Sequence, residues 1–312
     1  MKNNRQSLTL IIPVYNTDLS LLERCLKSIP VHDKVNVFIY DDCSTEYNAK
    51  DEIISIIDKN PDLKFILDDK NKIIRMPSNV GLGFIRNKAV KDLYESIEDD
   101  ECKYVMFLDS DDEVTFNEVS IDKVLNWKFD AMSYGIELIH NGEVHREDSM
   151  KYLSQSMIPY LVTPIIYNVK FLYDFNILFD ESRRIFEDIP FSIKFWTFMI
   201  SSHDDEFDPI EFYCKDTPVY RYHLDSSNSL TRNDKLERMI GDLEYWIDWM
   251  INYYHHITDK HLKDKVKPYI FNRIRYESVK VLSMKMQVNG DYDKYMNSLN
   301  YLKPYKINDI LN

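Results

Sequence analysis

Leu8-Thr9-Leu10-Ile11-Ile12-Pro13-Val14-Tyr15-Asn16 is a near-continuous apolar run interrupted near its end by proline. A strand buried on both faces of a parallel sheet reads this way, and Pro13 suits its end because it has no backbone donor for the ladder. The period then changes. Asp18 is placed to cap a helix whose apolar positions, Leu19, Leu22, Cys25, Leu26 and Ile29, recur at helical spacing. Residues 35–40 read as a second buried strand that ends in Asp41-Asp42-Cys43-Ser44, and Ile53, Ile54, Ile56 and Ile57 mark another helix closed by Pro61. Residues 102–108 form a third strand, running straight into Asp109-Ser110-Asp111-Asp112. This alternation predicts an α/β fold with a mostly parallel sheet. Such sheets take their ligands beyond the carboxyl ends of the strands, where both acidic clusters fall.

Three carboxylates within four positions repel one another and raise one another's pKa. A divalent cation removes that penalty, and magnesium and manganese prefer oxygen ligands. Alone, the cluster reads more simply as a solvated acidic turn. Residues 79–87 add Gly81 and Gly83, which let backbone approach a ligand closely, and Arg86, whose planar fork suits phosphate. The whole chain holds six glycines, so two of them in frame with Arg86 carry weight.

The segments IIPVYN, DDCS, NVGLGFIRN and FLDSDD, in this order and spacing, resemble the nucleotide-sugar domain of inverting family 2 glycosyltransferases. The similarity is close over residues 7–115 and looser to about residue 232. It implies a Rossmann-like GT-A domain over residues 1–232, with a donor-binding part at 7–115 and an acceptor and base part at 116–232. A helical C-terminal region follows at 233–312. For the donor, the resemblance implies Pro13, Val14 and Tyr15 beside the base and Asp42 reading its N–H edge. Asn79 and Arg86 would serve the diphosphate, and Asp109 the ribose, with Ser110 beside it. Asp111, with Asp109, would hold a manganese or magnesium ion bridging the phosphates. Asp112 either adds a water-mediated metal contact or orients Asp111. The chain departs from the family pattern at Cys43, Ile85 and Ala89, and Cys43, where glycine is common, keeps the same backbone only if it avoids a strained dihedral.

Inverting transfer also needs a base for the acceptor hydroxyl. Glu187-Asp188 resembles the family's acidic pair, with Asp188 as base and Glu187 orienting it or the acceptor. Carboxylates at a helix start are also favoured by the helix dipole, so the pair has a purely structural reading too. Residues 220–232 resemble the end of the catalytic domain. There His223 either ligates the metal or bonds the diphosphate, and Ser226–Ser229 with Arg232 would form a lid that excludes water. Beyond it, Leu236, Met239, Ile240, Leu243, Trp246, Ile247 and Met250 predict one helix. Ile270, Ile274, Val279, Leu282 and Met286 predict a second, and residues 295–301 a short third piece. This aromatic-rich region reads as a helical cap, an oligomer interface or an acceptor-binding surface.

Composition narrows the classes. A net charge of −13, from 39 basic and 52 acidic residues, argues against nucleic acid and against an anionic membrane surface. No run of 18 apolar residues encodes a membrane span, and the first residues lack a secretory apolar core. Cys25, Cys43, Cys102 and Cys214 show no metal spacing, which suits a reduced, cytoplasmic setting, with a peripheral place at the inner membrane face left open. The leading expectation is a metal-dependent inverting glycosyltransferase that takes a UDP-sugar and acts on a glycan or other polymer acceptor. A sugar nucleotidyltransferase would carry a glycine- and basic-rich loop after the first strand, unlike Tyr15-Asn16-Thr17-Asp18. A non-catalytic nucleotide-sugar or glycan-binding module would not need Asp109, Asp111 and Asp188 together, and a donor-hydrolysis assay separates it from the enzyme.

Overall fold

A computed structural model of the chain describes residues 5–98, 101–115, 118–125, 129–147, 149–159, 162–202, 213–224 and 236–289. In chain order the first half runs β1 (Arg5–Val14), α1 (Leu19–Lys27), β2 (Val35–Asp41), α2 (Ala49–Lys59), a 3-10 turn (Pro61–Leu67), β3 (Lys72–Arg75), α3 (Leu82–Glu95), β4 (Glu101–Phe107) and β5 (Glu113–Val114). It continues with α4 (Glu118–Leu125), β6 (Ala131–His140), β7 (Glu143–Glu147), α5 (Ser149–Ser154), β8 (Ile165–Asn168), α6 (Val169–Asp174), α7 (Asp188–Ser202), β9 (Tyr213–His223), α8 (Leu236–His256) and α9 (Lys260–Asn289).

Among the described residues the strands form one sheet in the order β3-β2-β1-β4-β8-β6-β9-β5, with β7 paired to β6. The expected α/β class holds. β3, β2, β1 and β4 are parallel, β8 joins β4 antiparallel, and β9 runs parallel to β6. β1 lies between β2 and β4, and Leu10, Ile11 and Ile12 are all fully buried. That two-sided burial is why its sequence is apolar without alternation. Helix starts follow local chemistry: the Asp18 carboxylate accepts from Ser20 N at 2.8 Å to cap α1, and Asn48 does the same for α2 from Lys50 N at 3.2 Å. β6 and β7 turn at Asn141-Gly142, both at positive φ, the pairing a tight hairpin requires.

The described residues of 5–149, 162–184 and 213–224 form one compact unit around the sheet, and those of 150–159, 185–202 and 236–289 form a second, helical one. In the helical unit Met239, Ile240, Leu243, Trp246, Ile247 and Met250 are buried, which bears out the periodicity of α8. α9 begins before the expected start at Ile270 and carries Pro268 inside it. Of its expected apolar positions Ile270, Ile274 and Leu282 are buried, whereas Val279 is exposed and Val281 takes the interior face with Val266; Arg273 pairs with Glu277 at 2.7 Å in the interior. Among the rings of this unit Trp246 and Tyr254 are buried, Trp249, Tyr253 and Tyr269 are half-buried, and Tyr245 and Tyr276 are exposed. Residues 295–301 lie outside the described residues. Among those described, no helix is long and apolar enough to cross a membrane.

Gly83 has a different use from the expected close approach to a ligand. A Cβ there would stand 2.4 Å from the Asp180 carbonyl oxygen. The same segment is fastened to α3 by Asn87, whose side chain donates to Phe179 O at 3.0 Å and Glu181 Oε1 at 2.8 Å and accepts from Phe179 N at 2.9 Å. Gly83→Ala is therefore expected to destabilise the chain by about 1–3 kcal/mol through overpacking, read as a lower denaturation midpoint in urea. An unchanged midpoint would mean that the segment yields without cost.

Candidate active site

The site is built from the carboxyl ends of parallel strands, where the backbone ladders stop and loops take over. After β1, Val14 is buried while Tyr15 is 42% exposed on the rim. Asn16, at φ 48°, fixes this turn to the loop after β2: its N–H donates to Ser44 Oγ at 3.1 Å, and its Oδ1 accepts from Thr45 N at 2.8 Å and Glu46 N at 3.1 Å. Thr17 continues the stitching. Its Oγ1 lies 2.6 Å from Ser110 Oγ, and its carbonyl accepts from the Tyr47 hydroxyl at 2.6 Å. Asn16 and Thr17 thus tie the end of β1, just after Pro13, Val14 and Tyr15, to Ser110 and to the loop after β2.

After β2, the buried Asp41 pairs with Arg75 and accepts from Ser44 N at 2.8 Å, while Asp42 turns toward α3. The Asp42 carboxylate accepts from Val80 N at 2.6 Å and Gly81 N at 2.9 Å, at the amino end of that helix. Asn79 Nδ2 donates to the Asp42 carbonyl at 3.4 Å. Burial pushes the Asp42 carboxyl up from the usual range, against the pull of those two amides and of the Arg184 charge. Cys43 does not avoid the strained region: its φ is 61°, left-handed for a residue with a side chain.

Arg86 lies beneath the rim, its side chain 3% exposed, and donates through Nη2 to Asp109 Oδ1 at 2.8 Å. Its guanidinium sits 5.1 Å from the Phe179 ring centre and 5.6 Å from that of Phe107. In this arrangement it holds Asp109 from below. Asp109, at 28% side-chain exposure, and Asp111, half-buried, lie at the end of β4. Arg24 Nη2 donates to the Asp111 carbonyl at 2.5 Å and so pins the acidic turn to α1.

Asp112 is 1% exposed, and its two carboxylate oxygens have different partners. Oδ2 accepts from the Tyr220 hydroxyl at 2.6 Å and Oδ1 from His223 N at 2.8 Å. Burial, then the charges of Asp109 and Asp111, push its carboxyl well above the usual range. The His223 ring turns to Glu113, with Nε2 at 2.5 Å from Oε2. Glu113 also meets Arg24 and Arg221, and Arg221 pairs with the buried Glu137 at 2.9 Å. Asp188 is the first residue of α7, with buried Glu187 before it and Phe186 at φ 59°, all in the helical unit. Ser226–Ser229 and Arg232 lie outside the described residues.

Asp109 and Asp111 offer hard carboxylate oxygens, and no group of three His, Cys, Asp or Glu side chains is gathered for a metal among the described residues. Two carboxylates without a protein cage fit a magnesium-like ion, which completes its shell with substrate phosphate and water. Sequence reading gave no site role to Arg24, Thr17 or Tyr220. Tyr220 stands 108 positions from Asp112, and no local pattern marks a hydroxyl that meets its partner only across the fold.

Residues 9–130 match the family described as Glycosyl transferase family 2. Three solved structures of S. aureus TarS share the fold. The first is 19% identical with a TM-score of 0.55, covering 86% of this chain and 43% of that one, so the chain spans less than half its length. TarS 1-349 in complex with UDP is 20% identical, TM-score 0.53, covering 83% of this chain and 69% of that one. The complex with UDP-GlcNAc is 18% identical, TM-score 0.52, covering 83% and 70%. Among curated proteins none matches the sequence.

Proposed function

From the family 2 glycosyltransferase domain that residues 9–130 form, we propose that the chain moves a sugar from a UDP-sugar to a hydroxyl of a glycan or other polymer acceptor, with inversion at the anomeric carbon. The observation that carries this reading is the gathering of Tyr15, Asp42, Asp109 and Asp111 at the ends of three adjacent parallel strands, β2, β1 and β4. TarS, whose fold the chain shares, has been captured with UDP and with UDP-GlcNAc, in keeping with a uridine donor.

Each residue has a role that follows from its surroundings. Tyr15 offers an exposed ring for the base to stack on. Asp42 accepts two backbone amides and retains lone pairs for the N–H edge of the base. Asp109, held from below by Arg86, presents its carboxylate to the ribose. Asp109 and Asp111 are the residues that would hold a manganese or magnesium ion, which would supply positive charge toward the departing diphosphate. Pro13, Val14, Asn79 and Ser110 stand around the donor at the strand ends, and His223, paired with Glu113, serves the diphosphate. Asp188 takes the proton from the acceptor hydroxyl as it attacks, and Glu187 orients it. The helical unit shapes the acceptor groove or pairs two chains.

A panel of nucleotide sugars tests this reading. Release of nucleoside diphosphate is expected from a UDP-sugar in the presence of manganese, and is expected to stop with excess chelator. Release only from donors with other bases would overturn the uridine assignment, and binding without turnover on any donor and acceptor would favour a glycan-binding module.

A further inference from the structure

The acidic turn at residues 109–112 is held by one hydroxyl that reaches both of its ends. Tyr220 is fully buried on β9, beside Val114 of β5 in the ladder. Its hydroxyl donates to Asp112 Oδ2 at 2.6 Å and accepts from Asp109 N at 3.2 Å. The turn is closed on itself by Asp112 N, which donates to Asp109 O at 3.0 Å. Three positions along β9, His223 N donates to the other Asp112 oxygen at 2.8 Å. Asp111 thus lies between two residues that β9 fixes, with Arg24 Nη2 on its carbonyl.

We propose that Tyr220 is a positioning residue for the donor site: by joining Asp112 to the main chain of Asp109, it sets the spacing of the Asp109 and Asp111 carboxylates. This rests on the donor reading above and extends it. It separates the three aspartates by task, Asp109 and Asp111 facing the ligand and Asp112 serving as an internal anchor. A hydroxyl that donates and accepts at once suits this place, because the two groups it joins are an acceptor and a donor. Phenylalanine keeps the ring and its packing but leaves a buried Asp112 carboxylate oxygen and the part-buried Asp109 amide without that partner. The turn is then free to relax, and a cation held by two carboxylates is sensitive to their separation.

The test compares binding of UDP and of uridine, each with manganese, by ligand-observed NMR on wild type, Tyr220→Phe, Asp112→Asn and the double variant. In Tyr220→Phe the affinity for UDP is expected to fall about tenfold, with uridine affinity within twofold of wild type. The double variant is expected to lose no more than the worse single variant, because both changes remove the same link. Equal weakening of UDP and uridine would reduce Tyr220 to packing and overturn the proposal, as would additive losses or an unchanged preference for UDP. If Tyr220→Phe does not fold, Asp112→Asn carries the test with the same expected selective loss, and an unchanged preference for UDP there overturns it. A wild type that binds UDP no better than uridine in manganese would defeat the donor reading itself, and this proposal with it.

Discussion

Asp111→Asn is expected to reduce manganese-dependent release of UDP from a UDP-sugar by at least about 10²–10³-fold, the scale for removing one preorganised charge-stabilising group. The fold is expected to survive. The Asp111 contact that pins the acidic turn is its backbone carbonyl on Arg24, and asparagine keeps that carbonyl. Thermal melting near the wild-type temperature, together with lost turnover, is therefore the signature to look for. Full activity in Asp111→Asn, or undiminished wild-type activity in excess chelator, would remove the metal from the account. Asp112→Asn differs in kind: the Asp112 carboxylate is a buried acceptor for Tyr220 and His223, so its loss is expected to lower stability as well as donor binding.

The second large effect concerns the acceptor half of the reaction. Asp188→Asn is expected to keep UDP affinity while losing transfer by about 10²-fold or more, the contribution of a positioned general base. The two halves are separable because Asp188 opens α7 in the helical unit, while the donor residues sit on the sheet unit. Lost UDP binding in Asp188→Asn would move this residue to the donor side. Near-normal transfer there, with loss in Glu187→Gln, would hand the base role to the buried Glu187.

Much of this was legible in the chain because burial leaves a mark on sequence. β1 is enclosed on both sides, so residues 8–14 are nearly all apolar, and α8 is enclosed on one, so its apolar residues keep helical spacing. Asp18 capping α1 and Pro61 standing just past the end of α2 are local events and read locally. β3 was missed, being four half-buried or exposed residues at the sheet edge with no pattern to detect. α9 starts at Lys260, ahead of the expected Ile270, and its extra turns pass through Pro268 and carry the buried Val266. Gly83 was assigned to a ligand on its lack of a side chain alone, when the group that needs the space is the Asp180 carbonyl. Arg86 reads as a phosphate fork from its chemistry, and in the fold its Nη2 also donates to Asp109. For Gly83 the deciding partner is distant in sequence and near in space.

Asp109 and Asp111 are expected to hold a cation tightly only together with a diphosphate. Manganese binding measured by electron paramagnetic resonance, with and without UDP, tests it directly. Asp109 and Asp111 alone supply too few ligands, so weak manganese binding is expected without UDP and much tighter binding with it. Manganese affinity that ignores UDP, or UDP binding that ignores manganese, would contradict the account.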